Sequence, residues 1–357
     1  MQPRDLSSNP EYVAGQGIEE VARELGMDPA NLVKLASNEN PLGPSPKAVA
    51  TIRETAPDVH HYPKSVHTDL REAIAENWDV EPAQIWLSPG GDGALDFLAR
   101  AMLEPGDGVL VPEPGFAYYE MSARFHHGTV RRYTIREADG FALEAETVLE
   151  HYAGERIVYL TSPHNPTGRR FALDAIRDIG DRTGEETLLI VDEAYGEFAD
   201  AESARTLTEE RADVAVLRTF SKAYGLAGLR LGYAIVPKAW ADAYTRVNTP
   251  FSVSSIACRA GLAALEDREH VTETVETVER SREHLQTAID APVLESHGNF
   301  VMVEVGDATA VADAMRERGV IIRDLSSFGL PEFVRITAGT AEETERAVRA
   351  LNEVLGS

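Results

Sequence analysis

Short runs of β-branched and aliphatic residues alternate with amphipathic helical patterns between about residue 67 and residue 250. The runs predicted to form strands are Ile85 to Leu87, Gly108 to Val111, Ile157 to Thr161, Leu188 to Val191, Val214 to Leu217 and Leu231 to Val236. Several are apolar on both faces, as strands buried between two helix layers must be. The alternation predicts an α/β fold with a mostly parallel sheet, and places the chemistry in loops beyond the strands' carboxyl ends.

The pattern changes after residue 250. A long helical stretch through Leu285 comes first. The segments predicted after it are a strand at Phe300 to Val305, a helix at Thr309 to Arg318, short strands at Val320 to Ile322 and Phe333 to Ile336, and a final helix. We therefore predict a large α/β domain over residues 41–250 and a small α+β domain over 251–357. Residues 1–40, with one predicted helix near Ile18 to Leu25, form an arm that packs on the small domain or on a partner.

The charge of the chain excludes two classes of partner. It has 34 Lys and Arg against 59 Asp and Glu, a formal net charge of −25, which opposes binding to nucleic acid or to an anionic membrane. With 43% hydrophobic residues, the chain has enough apolar surface to fold despite its charge. Only five of the basic residues are lysines. Such an acidic, lysine-poor surface indicates a salt-rich cytoplasm, with an acidic mesophilic protein as the alternative.

The cysteine content and the apolar runs predict no disulfide, no zinc site and no membrane span. Cys258 is the single cysteine, so no internal disulfide can form and no cysteine cluster offers a zinc site. The chain begins Met1-Gln2-Pro3-Arg4-Asp5 without an apolar run, and no later stretch is long enough to span a bilayer. We expect a cytoplasmic, metal-free protein.

The strongest chemical signal is Lys222, in a Ser221-Lys222 pair just after a predicted buried strand. A lysine amine held there is suited to forming an imine with an aldehyde cofactor. Arg230 follows eight residues later, beyond a glycine-rich loop, where its guanidinium can bind a phosphate dianion in bidentate fashion. A lysine that only caps a turn is the alternative for the pair taken alone.

Two further segments follow predicted strands. Asp192 stands at the carboxyl end of Leu188 to Val191, where a carboxylate can keep a pyridinium nitrogen protonated, although a metal-binding or helix-capping Asp is nearly as plausible for that residue alone. Tyr195 can hydrogen-bond a phenolic oxygen of the same cofactor. Asn165, in Ser162-Pro163-His164-Asn165-Pro166-Thr167-Gly168, can donate to that oxygen, with a plain Asn-Pro turn as the alternative.

A glycine-rich turn, Gly91-Asp92-Gly93, connects the first predicted strand to a helix beginning near Ala94. It presents backbone N–H groups at a positive helix end, which suits a phosphate. It matches neither a dinucleotide-binding fingerprint nor an NTPase phosphate loop, so a nucleotide-dependent oxidoreductase loses support.

Phe116 can stack on a flat cofactor ring or can belong to the core. A cofactor-binding regulator ranks lowest, because no helix-turn-helix flanks the core and the charge opposes DNA.

Together these segments resemble the fold-type I, class II pyridoxal-phosphate aminotransferases over nearly the whole chain. Further shared pieces are Ser37 to Gly43, Tyr62-Pro63, Gly298 to Phe300, Arg323 and Arg335. Within that family the chain is most similar to the branch that acts on L-histidinol phosphate. The resemblance implies a fold-type I transferase fold, pyridoxal 5′-phosphate as cofactor, and a small-molecule amino donor with a 2-oxo acid as acceptor.

The resemblance also assigns roles to individual residues. Lys222 would bind the cofactor as a Schiff base and carry the proton between substrate and cofactor, and Asp192, Tyr195 and Asn165 would tune the ring. The residues assigned to the cofactor phosphate are Gly91, Asp92, Ser221 and Arg230, with Gly93 in the same turn. Tyr62 would reach the phosphate of a neighbouring subunit, which implies a homodimer. The residues assigned to substrate are Arg335, Arg323, Asn38 and Tyr12.

The implied reaction is L-histidinol phosphate plus 2-oxoglutarate to imidazole-acetol phosphate plus L-glutamate, a step of histidine biosynthesis. An aromatic or broad-specificity amino-acid aminotransferase and a phospho-amino-acid decarboxylase are alternatives on the same scaffold. The chain departs from the family at Phe116, where a tyrosine is usual, and at His164, where an asparagine is common. We expect these departures to leave cofactor binding intact and to affect only the contacts with substrate.

Overall fold

The computed structural model describes residues 6, 7, 9, 17–64 and 66–356. Within them the α-helices are α1 (Ile18–Leu25), α2 (Pro46–Thr55), α3 (Thr68–Trp78), α4 (Gly90–Met102), α5 (Tyr118–Phe125), α6 (Ala145–Leu149), α7 (Leu173–Thr183), α8 (Leu207–Glu210), α9 (Tyr244–Val247), α10 (Ser255–Leu265), α11 (Arg268–Ala288), α12 (Ala308–Glu317) and α13 (Ala341–Leu355). The strands are β1 (Val33–Lys34), β2 (Ile85–Ser88), β3 (Gly108–Glu113), β4 (Thr129–Thr134), β5 (Ile157–Thr161), β6 (Leu188–Asp192), β7 (Val214–Thr219), β8 (Gly232–Ile235), β9 (Phe300–Glu304), β10 (Val320–Ile321), β11 (Arg323–Asp324) and β12 (Phe333–Thr337).

The largest sheet has seven strands in the order β2-β8-β7-β6-β5-β3-β4. Strands β7, β6, β5, β3 and β4 are parallel to one another, and only β8 runs antiparallel to its neighbours β2 and β7. The fold class is therefore as predicted, a fold-type I α/β architecture built on a mostly parallel sheet.

The central strands are apolar on both faces because helices cover both faces. Every residue of β5, β6 and β7 is buried. Alternate residues of β6 enter different cores: Leu189 and Val191 join one cluster, and Leu188 and Ile190 join the cluster on the other face. This is the period-two alternation of a strand between two helix layers, and each buried aliphatic side chain stabilises the fold by about 1.5–3 kcal/mol.

Two smaller sheets lie outside the large one. Strands β11, β12 and β9 form an antiparallel sheet in that order. Strand β1 pairs in parallel with β10, with Val33 opposite Val320, so the segment before residue 40 lies against the C-terminal elements. The predicted domain boundaries at residues 40 and 250 stay a prediction.

Some local features differ from the sequence-based prediction. The long helical stretch is two helices, α10 and α11, because Asp267 leaves the helical conformation and its carboxylate pairs with Lys47 at 3.3 Å. Helix α4 begins at Gly90, four residues before the predicted start near Ala94. The prediction left these residues out because glycines are weak helix formers, and their place in a helix depends on tertiary packing. No helix in the described part of the chain is both long and apolar enough to cross a membrane.

Candidate active site

A cavity of about 530 Å³ opens beyond the carboxyl ends of β5, β6 and β7. The strand register places Thr161 beside Asp192, and Asp192 beside Leu217, so these strands end side by side. The predicted site residues that line the cavity are Asn38, Gly91, Asp92, Phe116, Asn165, Asp192, Tyr195, Ser221, Lys222, Arg230, Arg323 and Arg335.

Lys222 stands three residues beyond the end of β7. The turn that carries it is closed by the Ser221 backbone N–H, which donates to Thr219 Oγ1 at 3.1 Å, and Phe220 is fully buried. Lys222 Nζ lies 3.4 Å from the Ser37 carbonyl oxygen, to which it donates, and 5.5 Å from the centre of the Tyr195 ring. A rigid turn thus holds a primary amine at the cavity wall.

Asp192 is buried at the end of β6, with a hydrogen bond to each carboxylate oxygen. The Ala194 backbone N–H donates to Oδ1 at 2.9 Å, and the Tyr119 hydroxyl donates to Oδ2 at 2.6 Å. Burial raises the pKa of Asp192 to about 6, and the Tyr119 hydrogen bond opposes that rise. Asp192 is therefore ready to share a proton with a basic group that enters the cavity.

Tyr119 was not among the residues predicted from the sequence. Its hydroxyl lies between Asp192 and Thr161 Oγ1, the latter at 2.8 Å, and its ring stacks on Tyr159 with 4.7 Å between centroids. The same ring meets Phe116 edge to face at 5.6 Å. Its place in the same Pro114 to Tyr119 segment as Phe116, at the start of α5, was the available signal.

Asn38 connects the N-terminal segment to Tyr195. Its backbone is in the left-handed region, with φ 53°, and its side-chain amide donates to the Tyr195 hydroxyl at 3.0 Å. The Thr337 hydroxyl donates to Asn38 Oδ1 at 3.2 Å. The amide of Asn38, predicted to contact substrate, is thus placed to orient Tyr195.

Arg335 projects from β12 into the cavity and is buried. Its guanidinium donates to Asn165 Oδ1, and also to the Ala36 carbonyl at 3.0 Å. Because the amide oxygen of Asn165 accepts this bond, its N–H₂ group remains available to donate to a molecule bound in the cavity. Arg323 is directly opposite Arg335 on β11, so two guanidinium groups stand at one end of the cavity.

The other end is built from the start of α4 and from Arg230. Arg230 Nη2 donates to Asp92 Oδ2 at 2.8 Å, and burial raises the pKa of Asp92. A Cβ at Gly90 would lie 2.3 Å from Arg230 Nη2, so only glycine lets the guanidinium approach this turn. A helix N-terminus, a guanidinium and the Ser221 hydroxyl together suit a phosphate dianion.

His164 is buried behind the cavity. One ring nitrogen lies 2.9 Å from Thr167 Oγ1, and the other lies 3.1 Å from the Pro114 carbonyl oxygen. Burial lowers the pKa of His164 to about 4, so the ring is neutral at pH 7 and joins the Asn165 turn to the loop that carries Phe116.

Two predicted residues in the described part of the chain, Gly93 and Tyr62, do not line the cavity. Gly93 lies within α4, where a Cβ would meet the Pro89 ring at 2.5 Å. Tyr62 is 84% exposed and contacts Phe251, with 5.1 Å between ring centroids. Tyr12 lies outside the described residues.

The arrangement is suited to a flat molecule with an anionic group. Its phosphate would lie at Arg230 and the start of α4, its ring between Phe116 and Asp192, and its reactive carbon toward Lys222. A second anion could then bind at Arg335 and Arg323. The residues present fit such a cofactor together with an anionic substrate.

Comparisons with known proteins point the same way. The family described as aminotransferase class I and II matches residues 30–351. The chain is 65% identical to the histidinol-phosphate aminotransferase of Haloarcula marismortui, and the match covers 99% of both chains. It is 64% identical to the histidinol-phosphate aminotransferase of Halorubrum lacusprofundi, and that match covers 99% of this chain and 98% of the relative. Among solved structures, histidinol-phosphate aminotransferase from Sinorhizobium meliloti in complex with pyridoxal-5′-phosphate is similar, with a TM-score of 0.84, 28% identity, and 96% and 95% of the two chains covered.

Proposed function

The chain belongs to the aminotransferase class I and II family, and from that premise we propose that it transfers the amino group of L-histidinol phosphate to 2-oxoglutarate. The products are imidazole-acetol phosphate and L-glutamate. The prediction of a pyridoxal-phosphate aminotransferase is confirmed by the family match and by the full-length relatives, whose names support histidinol phosphate rather than the aromatic or decarboxylase alternatives.

The observation that carries this proposal is one cavity in which a lysine amine and a buried carboxylate lie between two anion sites. One anion site is formed by Arg230 and the start of α4, and the other by Arg335 and Arg323. A transaminase that acts on a phosphorylated amine needs both, because its cofactor and its substrate each carry a phosphate.

We assign the cofactor contacts as follows. Pyridoxal 5′-phosphate supplies, when bound, an aldehyde that takes up the amino group and a protonated ring that accepts the electron pair left at the substrate carbon. Lys222 Nζ would hold the aldehyde carbon, and Asp192 the ring nitrogen. Tyr195 and Asn165 would donate to the ring oxygen, and Phe116 would stack on the ring. The residues left for the phosphate are Gly91, Asp92, Ser221 and Arg230.

Proton transfer falls to Lys222. Lys222 Nζ would take the proton from the substrate Cα as a general base and give it back as a general acid. Asp192 would hold the proton on the ring nitrogen of a bound cofactor, and its two hydrogen bonds fix the carboxylate in place for that task. Burial keeps water from competing for this proton.

Arg335 and Arg323 serve both half-reactions. A planar guanidinium binds a phosphate and a carboxylate equally well through paired N–H donors. The first half-reaction presents the phosphate of histidinol phosphate, and the second presents a carboxylate of 2-oxoglutarate. The Arg335–Asn165 hydrogen bond joins this substrate site to the cofactor contacts.

Substrate profiling tests the proposal. We expect kcat/KM with L-histidinol phosphate to exceed that with L-tyrosine or L-phenylalanine by about a hundred-fold, because the aromatic donors leave the arginine pair without a phosphate. Release of CO₂ from O-phospho-L-threonine should be absent. A preference for either aromatic donor, or decarboxylation, would replace the assigned substrate.

Tyr119→Phe should move the acid limb of the pH–rate profile. Removing the hydroxyl removes a hydrogen bond that favours the ionised form of Asp192, so the pKa of Asp192 rises above about 6. Below that pKa the protonated acid no longer holds the ring-nitrogen proton. A bond of about 1.5 kcal/mol corresponds to an acid limb of kcat/KM about one pH unit higher.

Tyr118→Phe is the matched control, since the Tyr118 hydroxyl donates to Asp96 at 2.8 Å and not to Asp192. Its acid limb should stay where it is in the unsubstituted enzyme. An unmoved acid limb in Tyr119→Phe would mean that Tyr119 only packs.

The homodimer is also a proposal. Large apolar side chains are exposed within four positions of Tyr62 in the chain, Val59 at 67% and Val66 at 37%, and Phe251, which contacts the Tyr62 ring, is 49% exposed. Such a patch on an otherwise acidic surface is typical of a protein–protein interface. A second copy that covers it would bring Tyr62 to the neighbouring cofactor phosphate, as the resemblance implies.

Mixed dimers test this arrangement. Tyr62→Ala should weaken binding of pyridoxal phosphate by about ten-fold through the loss of one charged hydrogen bond. Mixing it with Lys222→Ala chains should restore sites of full affinity, because each hybrid contains one site with both residues intact. If the mixture has only weak sites, measured by cofactor titration, Tyr62 acts within its own chain or not at all.

We also propose a cytoplasmic location, and a division of the chain into an arm (residues 1–40), a large domain (residues 41–250) and a small domain (residues 251–357).

A further inference from the structure

A tight turn, Ser326–Phe328, follows β11 and lies at the arginine end of the active-site cavity. Asp324 closes the turn, because its Oδ1 atom accepts from the Ser326 backbone N–H and hydroxyl, at 2.7 and 2.6 Å. The Thr309 hydroxyl donates to the other carboxylate oxygen of Asp324 at 2.7 Å, and Leu325 is fully buried. These contacts hold the turn in one conformation.

Two side chains of this turn contact Arg323. Ser327 and Phe328 line the cavity together with Arg323 and Arg335. Arg323 Nη2 donates to Ser327 Oγ at 3.4 Å, and its guanidinium carbon lies 5.8 Å from the centre of the Phe328 ring. Because the Ser327 oxygen accepts in this bond, its hydroxyl hydrogen can be donated to a molecule bound in the cavity.

The two anions proposed for this site differ in the number of oxygens that they present. The phosphate of L-histidinol phosphate has three terminal oxygens in a tetrahedral arrangement, whereas a carboxylate of 2-oxoglutarate has two in one plane. A guanidinium group pairs with two oxygens at a time. The third phosphate oxygen therefore needs a further donor that a carboxylate does not use, and such a donor must lie beside the guanidinium groups.

We propose that the Ser327 hydroxyl is this donor, so that Ser327 favours the phosphorylated amine without affecting the oxo acid. The inference rests on the proposed function and adds to it a residue that separates the two half-reactions. Phe328 is a positioning residue, since its ring touches Arg323 and supports the binding of either anion.

Ser327→Ala tests the assignment in the enzyme loaded with pyridoxal phosphate. We expect the concentration of L-histidinol phosphate that half-saturates the rate of bleaching to rise about five- to ten-fold, the effect of one hydrogen bond to a charged group. The concentration of 2-oxoglutarate that half-saturates the return of the yellow band should stay within about two-fold, because a carboxylate has no third oxygen. Stopped-flow absorption measures each half-reaction separately.

Two neighbouring variants give the comparison. Ser326→Ala removes a hydroxyl that is bonded to Asp324 and does not line the cavity, so both half-reactions should match those of the unsubstituted enzyme. Phe328→Leu removes the ring beside Arg323, which both anions use, so both half-saturating concentrations should rise by a similar factor. Persistence of the yellow band in each variant would show that the cofactor site is intact.

The outcomes separate this inference from the proposed function. If Ser327→Ala raised both half-saturating concentrations equally, the hydroxyl would act only by holding Arg323, and if it raised neither, the hydroxyl would not contact the phosphate. Either result would overturn the inference while the proposed function stood. An unsubstituted enzyme that does not bleach with L-histidinol phosphate would overturn both.

Discussion

Lys222→Ala is expected to lower kcat by about 10⁴-fold or more and to abolish the yellow absorption of the enzyme with bound pyridoxal phosphate. The substitution removes the amine that holds the cofactor and the base that moves the substrate proton, and loss of a positioned base alone costs about 10²–10⁴-fold. Stopped-flow single turnovers and a visible spectrum measure the two losses separately. The fold should survive, because Lys222 Nζ makes one hydrogen bond, of 3.4 Å.

Lys238→Ala is the matched control. Lys238 is exposed and pairs with Glu81 on the surface, so its loss should change neither kcat nor the spectrum. Lys222→Arg keeps the positive charge but offers no amine for a covalent link, so it should fail as Lys222→Ala does. Substantial turnover by either Lys222 variant would contradict the assigned chemistry.

Asp192→Asn is expected to lower kcat by about 10²–10³-fold while the yellow absorption persists. Lys222 still holds the cofactor, but a neutral amide cannot keep the ring-nitrogen proton in place. The loss corresponds to removal of one preorganised electrostatic contact in a buried site. Single-turnover rates with L-histidinol phosphate, and a spectrum of the same sample, give the comparison.

Asp96→Asn supplies a control of the same chemistry. Asp96 accepts hydrogen bonds from the Tyr118 and Ser122 hydroxyls and does not line the active-site cavity. Its kcat should stay within a few-fold of that of the unsubstituted enzyme. If Asp192→Asn turned over as fast as Asp96→Asn, the ring nitrogen would have another partner.

The central strands could be predicted from the sequence because burial on both faces leaves a continuous apolar run. Ile157–Thr161 is predicted residue for residue, and Leu188–Asp192 to within one residue. The edge strand Thr129–Thr134 was missed, since an edge strand needs no such run and this one exposes Arg131 and Arg132. Edge strands follow from pairing with a neighbour, which the local sequence does not encode.

The site residues also divide into those that the local sequence predicts and those that depend on contacts between distant parts of the chain. Lys222, Asp192 and Asn165 each follow a predicted strand by a few residues, and the ends of parallel strands meet at one edge of the sheet. The role of Tyr119 could not be predicted from the sequence, because its hydrogen bond to Asp192 spans 73 positions in the chain. The contact from Asn38 to Tyr195 spans 157 positions, so the role of Asn38 in orienting Tyr195 depends on the folded chain.

The departures from the family pattern have physical counterparts in the fold. Phe116 keeps an aromatic face toward the cavity and packs edge to face on Tyr119. His164 is buried, with both ring nitrogens near hydrogen-bond partners, and it joins two loops of the site without lining the cavity. Neither change alters the set of charged groups that the proposed reaction uses.

The most direct test of the central claim is the visible absorption of the purified enzyme, loaded with pyridoxal phosphate, during titration with L-histidinol phosphate in the absence of any oxo acid. We predict that the yellow band bleaches at low concentrations of L-histidinol phosphate and persists with equal concentrations of L-tyrosine or L-phenylalanine. Addition of 2-oxoglutarate should then restore the band. Bleaching only by the aromatic amino acids, or no yellow band after addition of pyridoxal phosphate, would contradict the account.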